Sequence, residues 1–341
     1  MFKSYKYRLY PTKTQKQHLI QSMGCVRYIY NKGLEEKIKY YETTGKTLSY
    51  FDMSCSFLLQ EKEKNEWLQN INAQSLQMSL RNLDNAFQRF FKKSSKFPSF
   101  KKKSNRRSIQ YPQHVSINFE TNRVKIPKTG KIKIIIDRKF EGKIKTCTIT
   151  KTSTDKFFIS ILIENDQNVY TKPKIQSKNT IGIDLGIATF ATLSNGNKIN
   201  NPKYLNKSLQ KLKTLQRKAS KKIKTSNNRK KANLKIAKVH EKIVNQRNDF
   251  LHKLSSKLIS ENQTIITEDL NIAIMLKNKF LARSISDVSW NKFVNFLEYK
   301  AEWYGKNILK IGRFEPSSKL HSTCGHINKD LALSDREWIC P

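Results

Sequence analysis

IGIDLGIATFATLSNG, residues 181–196, is the stretch on which the reading turns. It reads as a strand, a turn and a second strand. Asp184 stands in it among apolar Ile181, Ile183, Leu185 and Ile187, with Gly182 and Gly186 on either side. A carboxylate in so apolar a strand is costly to bury as a charge unless something pairs with it. A divalent cation meets that need, since hard ions such as Mg²⁺ take oxygen ligands and keep several waters. On this segment alone, a strand-end Asp that accepts backbone hydrogen bonds meets it equally well.

A second acid sits in a comparable place. TIITEDL, residues 264–270, reads as a buried strand ending in Glu268 and Asp269. Neighbours on a strand face opposite sides, so only one of these two can join Asp184. Asp184 and Glu268 at the ends of adjacent strands would hold metal together, as two-metal hydrolysis of phosphodiesters requires. That chemistry normally uses a third acid. None follows on a strand, because Asp287 precedes a helix and Asp330 and Asp335 lie in a Cys/His tail.

The surroundings imply an α/β domain. Long basic helices are expected from about 203 to 260, with KKIKTSNNRKK as the loop between them. WNKFVNFLEYKAEWYG is an amphipathic helix and ILKIGRF a further strand, so strands and helices alternate. Upstream the pattern differs. FKSYKYRLY alternates as a strand and stops at Pro11, and Thr12 or Thr14 can cap a helix that begins near Gln15. Helical periodicity continues to about 93, with Leu76, Leu80, Leu83, Phe87, Phe90 and Phe91 at steps of three and four. SSKFPSFKKKSNRR breaks it as a loop or linker. Residues 108–165 are short β-branched runs separated by turn residues, the pattern of a small antiparallel sheet or barrel, with which the N-terminal strand is expected to pair.

Composition points to the partner. The 341 residues include 66 Lys+Arg against 27 Asp+Glu, a net charge of +39 spread along the whole length. Self-repulsion of that size destabilises a fold unless a polyanion neutralises it, so nucleic acid is the first partner to consider. The candidate contacts are Arg27, Tyr28 and Asn31; Lys92 and Lys93; Lys101, Lys102, Lys103, Arg106 and Arg107; and Lys221, Lys222, Arg229, Lys230 and Lys231. A solvated face accounts for each of them equally, and Tyr28 is as well suited to a core. The 5 cysteines are scattered and form no disulfide framework. Cys25, Cys55 and Cys147 read as ordinary buried thiols. His321-x₂-Cys324 followed by Cys340 has the rhythm of a structural zinc site whose fourth ligand is expected about three residues beyond Cys340, with His326 a poorer fit. No signal peptide or membrane-spanning run is present, so the expected location is the bacterial cytoplasm, at the nucleoid, with no membrane partner.

These segments together resemble the TnpB (OrfB) proteins of bacterial insertion sequences. The segments that carry the resemblance, in order, are YKYRLYPTKTQ, GCVRYIYN, SLRNLDNAFQRFFKK, KFPSFKKK, IGIDLGIATFATLSNG, VHEKIVNQRNDFLHKLS, ITEDLNI, EYKAEWYG, SSKLHSTCG and REWIC. The resemblance implies a bilobed α/β plus β protein. A helical recognition domain (11–107) is inserted in a β-barrel-like wedge domain (1–10 and 108–170). An RNase H-like RuvC nuclease domain (178–315) and a partial zinc ribbon (316–341) follow. It also implies a guide RNA from the transposon end, a double-stranded DNA target with an adjacent motif, a two-metal Mg²⁺ site and a structural Zn²⁺. Asp184 and Glu268 match the first two of the family's three catalytic carboxylates. His321 stands where a Cys is usual. The third Asp, the fourth zinc ligand and the final helix have no counterpart in these residues, so cutting is expected to be impaired and RNA binding retained. Two other functions stay open at this point: a non-cutting RNA-guided regulator of transposition or transcription, and a transposase that itself joins DNA ends.

Overall fold

The computed structural model describes the chain except residues 104–106, 166–169, 313–318, 322, 332–337 and 341. The chain divides into two compact units, Met1–Asn168 and Val169–Pro341.

The first unit begins with strand β1 (Phe2–Tyr10) and helix α1 (Lys13–Thr44). Thr12 caps α1 in a reciprocal box with Gln15, which fixes the helix start. The short helices α2 (Tyr50–Asp52) and α3 (Leu58–Lys64) flank a π-helical turn, and α4 (Ala73–Phe91) follows. Cys25, Ile29 and Gly33 on α1 face Leu76, Leu80 and Leu83 of α4 in buried clusters. Gly33 lets the two helices approach closely, since a Cβ on it would stand 2.8 Å from a Leu80 methyl. Strands β2 (Arg107–Tyr111), β3 (Ser116–Asn118), β4 (Arg123–Ile126), β5 (Gly130–Ile135), β6 (Lys143–Lys151) and β7 (Phe157–Glu164) complete the unit.

They join β1 in one antiparallel sheet of order β2-β6-β7-β1-β5-β4-β3. The N-terminal strand is therefore the middle strand, with Tyr7 opposite Ile159 and Leu9 opposite both Phe157 and Ile134. The pleat buries Tyr7, Leu9, Ile132, Ile134, Ile159 and Ile161 under Leu19 and Met23 of α1. Among the described residues the expected barrel does not close: β2 and β3 are the two ends of the sheet and are not paired with each other.

The second unit holds strands β8 (Thr180–Leu185), β9 (Thr189–Leu193), β10 (Lys198–Asn200), β11 (Thr264–Glu268) and β12 (Asn307–Ile311). Their order is β10-β9-β8-β11-β12, with β8, β9 and β10 antiparallel and β11 parallel to both β8 and β12. Gly186 makes the β8–β9 turn possible, since a Cβ would lie 2.8 Å from the Thr189 carbonyl oxygen. Helices α5 (Tyr204–Ser220) and α6 (Asn227–Glu261) cross between β10 and β11. Short α7 (Ile272–Met275) and α8 (Ala282–Val288) precede α9 (Trp290–Tyr304). Leu251, Leu254 and Leu258 of α6 and Phe293, Leu297 and Ala301 of α9 form one core with Ile181, Ile183, Leu185 and Ile265 of the sheet. Lys300 is buried in the join: its ammonium donates to the His252 carbonyl (2.9 Å) and the Ser255 and Ser256 hydroxyls (2.7 and 2.8 Å).

Candidate metal centres and nucleic-acid interface

Asp184 and Glu268 reach the same edge of the second sheet by register. Ile183 stands opposite Thr267 across the parallel β8–β11 pair, so Asp184 and Glu268 are the next residues at the carboxyl ends of the two strands. Successive side chains alternate across a sheet, and directly paired residues share a side. Ile181, Ile183, Leu185, Ile265 and Thr267 are buried on the side covered by helices. Gly182, Asp184, Ile266 and Glu268 therefore belong to the opposite side. Asp184 is exposed and Glu268 half-buried. The apolar neighbours of Asp184 do not bury it, because the pleat turns them away from it. Beside Glu268 and Asp269 lies a cleft of about 270 Å³, lined also by Leu185, Trp290, Asn291 and Lys310. Asp287 takes no part. Its carboxylate accepts from Arg247 Nη2 (2.6 Å) and from the Leu205 backbone N–H (3.1 Å), tying α8 to α6 and the start of α5. Two oxygen donors on one side of adjacent strands, with Asp184 open to water, suit a hard divalent cation.

His321, Cys324 and Cys340 converge as the sequence rhythm suggests. Their ligand atoms all lie within 4.8 Å of one another, the one such group of His, Cys, Asp or Glu among the described residues. His321 Nδ1 is 3.1 Å from Cys324 Sγ, which is 3.4 Å from Cys340 Sγ. These separations suit donors around one small tetrahedral ion, and nitrogen with sulfur is the donor set that zinc prefers. The His326 backbone N–H, then His321 and Cys340, draw the Cys324 thiol down to about 7, while the neighbouring Cys324 pushes Cys340 upward. A lowered thiol pKa favours the thiolate, the form in which sulfur coordinates metal. His326 is not in the group. Of the other cysteines, Cys25 and Cys147 are buried and their thiols pushed up to about 11 and about 12 by desolvation. Cys55, expected to be buried as well, is exposed, because the π-helical turn Met53–Phe57 turns Met53 inward instead.

The basic candidates separate into two kinds. Arg27, Lys101, Lys102 and Arg107 come together around a groove of about 520 Å³ in the first unit, with Asn82 and Gln110 on its wall. Asn31 does not reach into it. Its side-chain amide instead clamps the Lys101 backbone, donating to the carbonyl (3.0 Å) and accepting from the N–H (2.8 Å). Lys101 Nζ sits 3.5 Å from the Tyr30 ring centre, and burial lowers its pKa to about 8. Tyr28 donates to Glu61 Oε2 (2.9 Å) and meets Trp67 edge-on at 5.0 Å, so it serves the fold. Arg229 is also engaged: Nη1 donates to the Ala219 carbonyl and to that of Lys222 (3.1 Å), capping the end of α5. Lys230 reaches Asn227 (3.2 Å). Lys92, Lys93, Lys103, Lys221, Lys222 and Lys231 are exposed, and Arg106 lies outside the described residues. Sequence reasoning passed over Arg123, Lys125 and Lys131, which line a cleft of about 610 Å³ on the first sheet. In an alternating strand they read as ordinary solvent-facing residues, and only the register of β4 against β5 gathers them.

Residues 158–279 match the OrfB IS605 family, described as “Probable transposase”. Residues 1–46 match a “Helix-turn-helix domain”, yet here they fold as β1 followed by the single helix α1. Residues 290–341 match a “Cas12f1-like, TNB domain”. A Streptomyces pristinaespiralis protein named “Putative RNA-guided DNA endonuclease” is 39% identical over 343 residues, covering 99% of this chain and 84% of the relative. InsQ of Escherichia coli K12, with the same description, is 32% identical over 354 residues, covering 99% and 87%. A TnpB-like protein of Methanocaldococcus jannaschii is 42% identical over 86 residues, covering 23% and 30%. The fold is similar to that in the cryo-EM structure of the Cas12f1–sgRNA–target DNA complex, with a TM-score of 0.58 at 14% identity, covering 100% of this chain and 96% of that one. No described helix is long and apolar enough to cross a membrane.

Proposed function

Because the chain belongs to the TnpB (OrfB) family, we propose that it is an RNA-guided DNA endonuclease of an insertion sequence, cutting by metal-dependent phosphodiester hydrolysis at a RuvC-like site built on Asp184 and Glu268. The observation that carries the site is their register: two carboxylates follow the last paired residues of adjacent parallel strands and share one side of the sheet. The strand order β10-β9-β8-β11-β12 supports an RNase H-like nuclease domain over 178–315. The same reading assigns 1–10 and 108–170 to a wedge, 11–107 to recognition and 316–341 to a partial zinc ribbon.

Bound Mg²⁺ would supply an activated water and stabilise the leaving oxygen. Asp184 and Glu268 would hold it at the open edge of the sheet, where a DNA strand can approach. Lys310, at the cleft beside Glu268, pairs with Glu298 (2.7 Å). His321, Cys324 and Cys340 would hold a structural Zn²⁺ that pins the tail. Sequence choice would rest with a guide RNA from the transposon end, while the protein reads a short adjacent motif and grips backbone, the division of labour that a charge of +39 suits.

The test expresses the chain with the flanking DNA of its element, isolates the RNA that accompanies it, and offers the complex duplexes that match or mismatch that RNA. Guide-dependent DNA binding is expected, together with Mg²⁺-dependent cutting that requires Asp184 and Glu268. A chain that carries no RNA, or whose cutting survives Asp184→Ala unchanged, would falsify the assignment.

A further inference from the structure

We propose that the end of α4 and the loop behind it form a stacking platform for an unpaired stretch of the chain's RNA. Phe87, Phe90 and Phe91 close α4, and the chain then folds back so that Phe97 meets Phe87 and Phe90 edge-on, at 5.5 and 5.3 Å. Phe91 stacks on Phe87 at 6.3 Å, and Lys37 Nζ lies 5.2 Å from the Phe87 ring centre, which fixes the base of the group. Its outer rings face water: Phe91 is 67% exposed and Phe97 49%. Exposed rings gathered in one cluster, rather than scattered singly, offer a surface for a partner. Exposed Lys92, Lys93 and Lys96 lie along the same turn. Rings for bases and cations for phosphates are the two components of a single-strand platform.

The turn supplies a second, independent observation. Lys93 N–H bonds to the Phe90 carbonyl (2.8 Å) and Ser94 N–H to the Arg89 carbonyl (2.9 Å), the paired closure that usually carries glycine at its left-handed residue. Here that residue is Lys93, at φ +54°. A lysine in this conformation carries a backbone cost that glycine would not. The cation it adds beside the rings is what glycine would lack.

RNA fits the surface better than the other occupants. A second copy of the chain would bring the same lysines against each other. A displaced DNA strand would cover the rings only during an encounter, whereas a resident RNA covers them throughout. The proposal rests on the reading that RNA is this protein's partner, and goes beyond it by naming where unpaired bases lie.

The test uses the full chain freed of nucleic acid, with three probes: a short oligoadenylate RNA, the same sequence as DNA, and a duplex RNA of equal length. Phe91→Ala is expected to weaken oligoadenylate binding roughly tenfold and Phe91→Ala with Phe97→Ala further, with duplex binding within about twofold of the unaltered chain. Phe91→Trp keeps the affinity. Lys93→Gly raises the melting temperature while weakening RNA binding, a pairing that a misfolded variant cannot produce. Equal losses on single-stranded and duplex RNA, losses on DNA alone, or a dimer that Phe91→Ala dissociates would each overturn the platform. If the unaltered chain binds RNA and the variants match it, the platform alone fails. If the unaltered chain neither binds oligoadenylate nor co-purifies with RNA, the functional reading fails with it.

Discussion

On β4 and β5 of the seven-stranded sheet, buried Val124, Ile126, Ile132 and Ile134 alternate with exposed Arg123, Lys125, Lys131 and Lys133. On β8 and β11 of the five-stranded sheet, buried Ile181, Ile183, Ile265 and Thr267 alternate with Gly182, Asp184, Ile266 and Glu268. The pleat is the same and its open side carries opposite charge. One sheet thus presents cations along a surface, the other two carboxylates at the end of adjacent strands. In a chain of +39, two acids side by side at the end of parallel strands stand out, which supports the proposed site.

The contrast can be broken at either sheet. The largest expected effect is on the acidic one: Asp184→Ala or Glu268→Gln should lower Mg²⁺-dependent cutting roughly a hundredfold or more, with RNA binding unchanged in a filter assay. Parallel losses of both would make the acids structural instead. Next comes packing in the first unit. Leu80→Ala empties the close contact between α1 and α4 and should cost about 2–5 kcal/mol in denaturant unfolding, with any cutting affected only through the folded fraction. A third effect is a pH dependence. Burial holds the Lys300 pKa down at about 8 from its ordinary 10.5. Between those values the unfolded chain binds the extra proton, so stability should rise with pH across that window, and Lys300→Met should flatten the rise in thermal melts. The smallest effect sharpens the basic sheet. Arg123→Gln with Lys125→Gln and Lys131→Gln should lower the slope of log affinity against log salt by about 0.7–0.9 per residue, without changing which sequences are bound. An unaltered slope would remove that face from the nucleic-acid surface.

The readable parts were those that local physics dictates. Thr12 with Gln15 announces the start of α1, and the alternation in FKSYKYRLY announces β1 and its need for partners. The two acids were legible as strand-end residues, and their shared side follows from register, which a single sequence does not carry. The expected desolvation of Asp184 was wrong for the same reason, since apolar neighbours on a strand face away from the residue between them. Barrel closure depends on accumulated twist and stagger over seven strands, beyond any window of sequence. The basic residues were least legible. Arg229 and Asn31 bond to backbone carbonyls, while Lys102 beside Lys101 stays exposed, and nothing in composition distinguishes these fates.

The position of β1 has a consequence for how the protein is made. Among the strands of its sheet, β1 is made first yet lies in the middle, and its neighbours β5 and β7 end at Ile135 and Glu164. At about 5–20 residues per second, translation leaves it without both neighbours for on the order of ten seconds. Through that interval α1 and α4 can pair while Tyr7 and Leu9 wait, and a nascent-chain arrest placed before β7 should trap a helical, protease-sensitive intermediate.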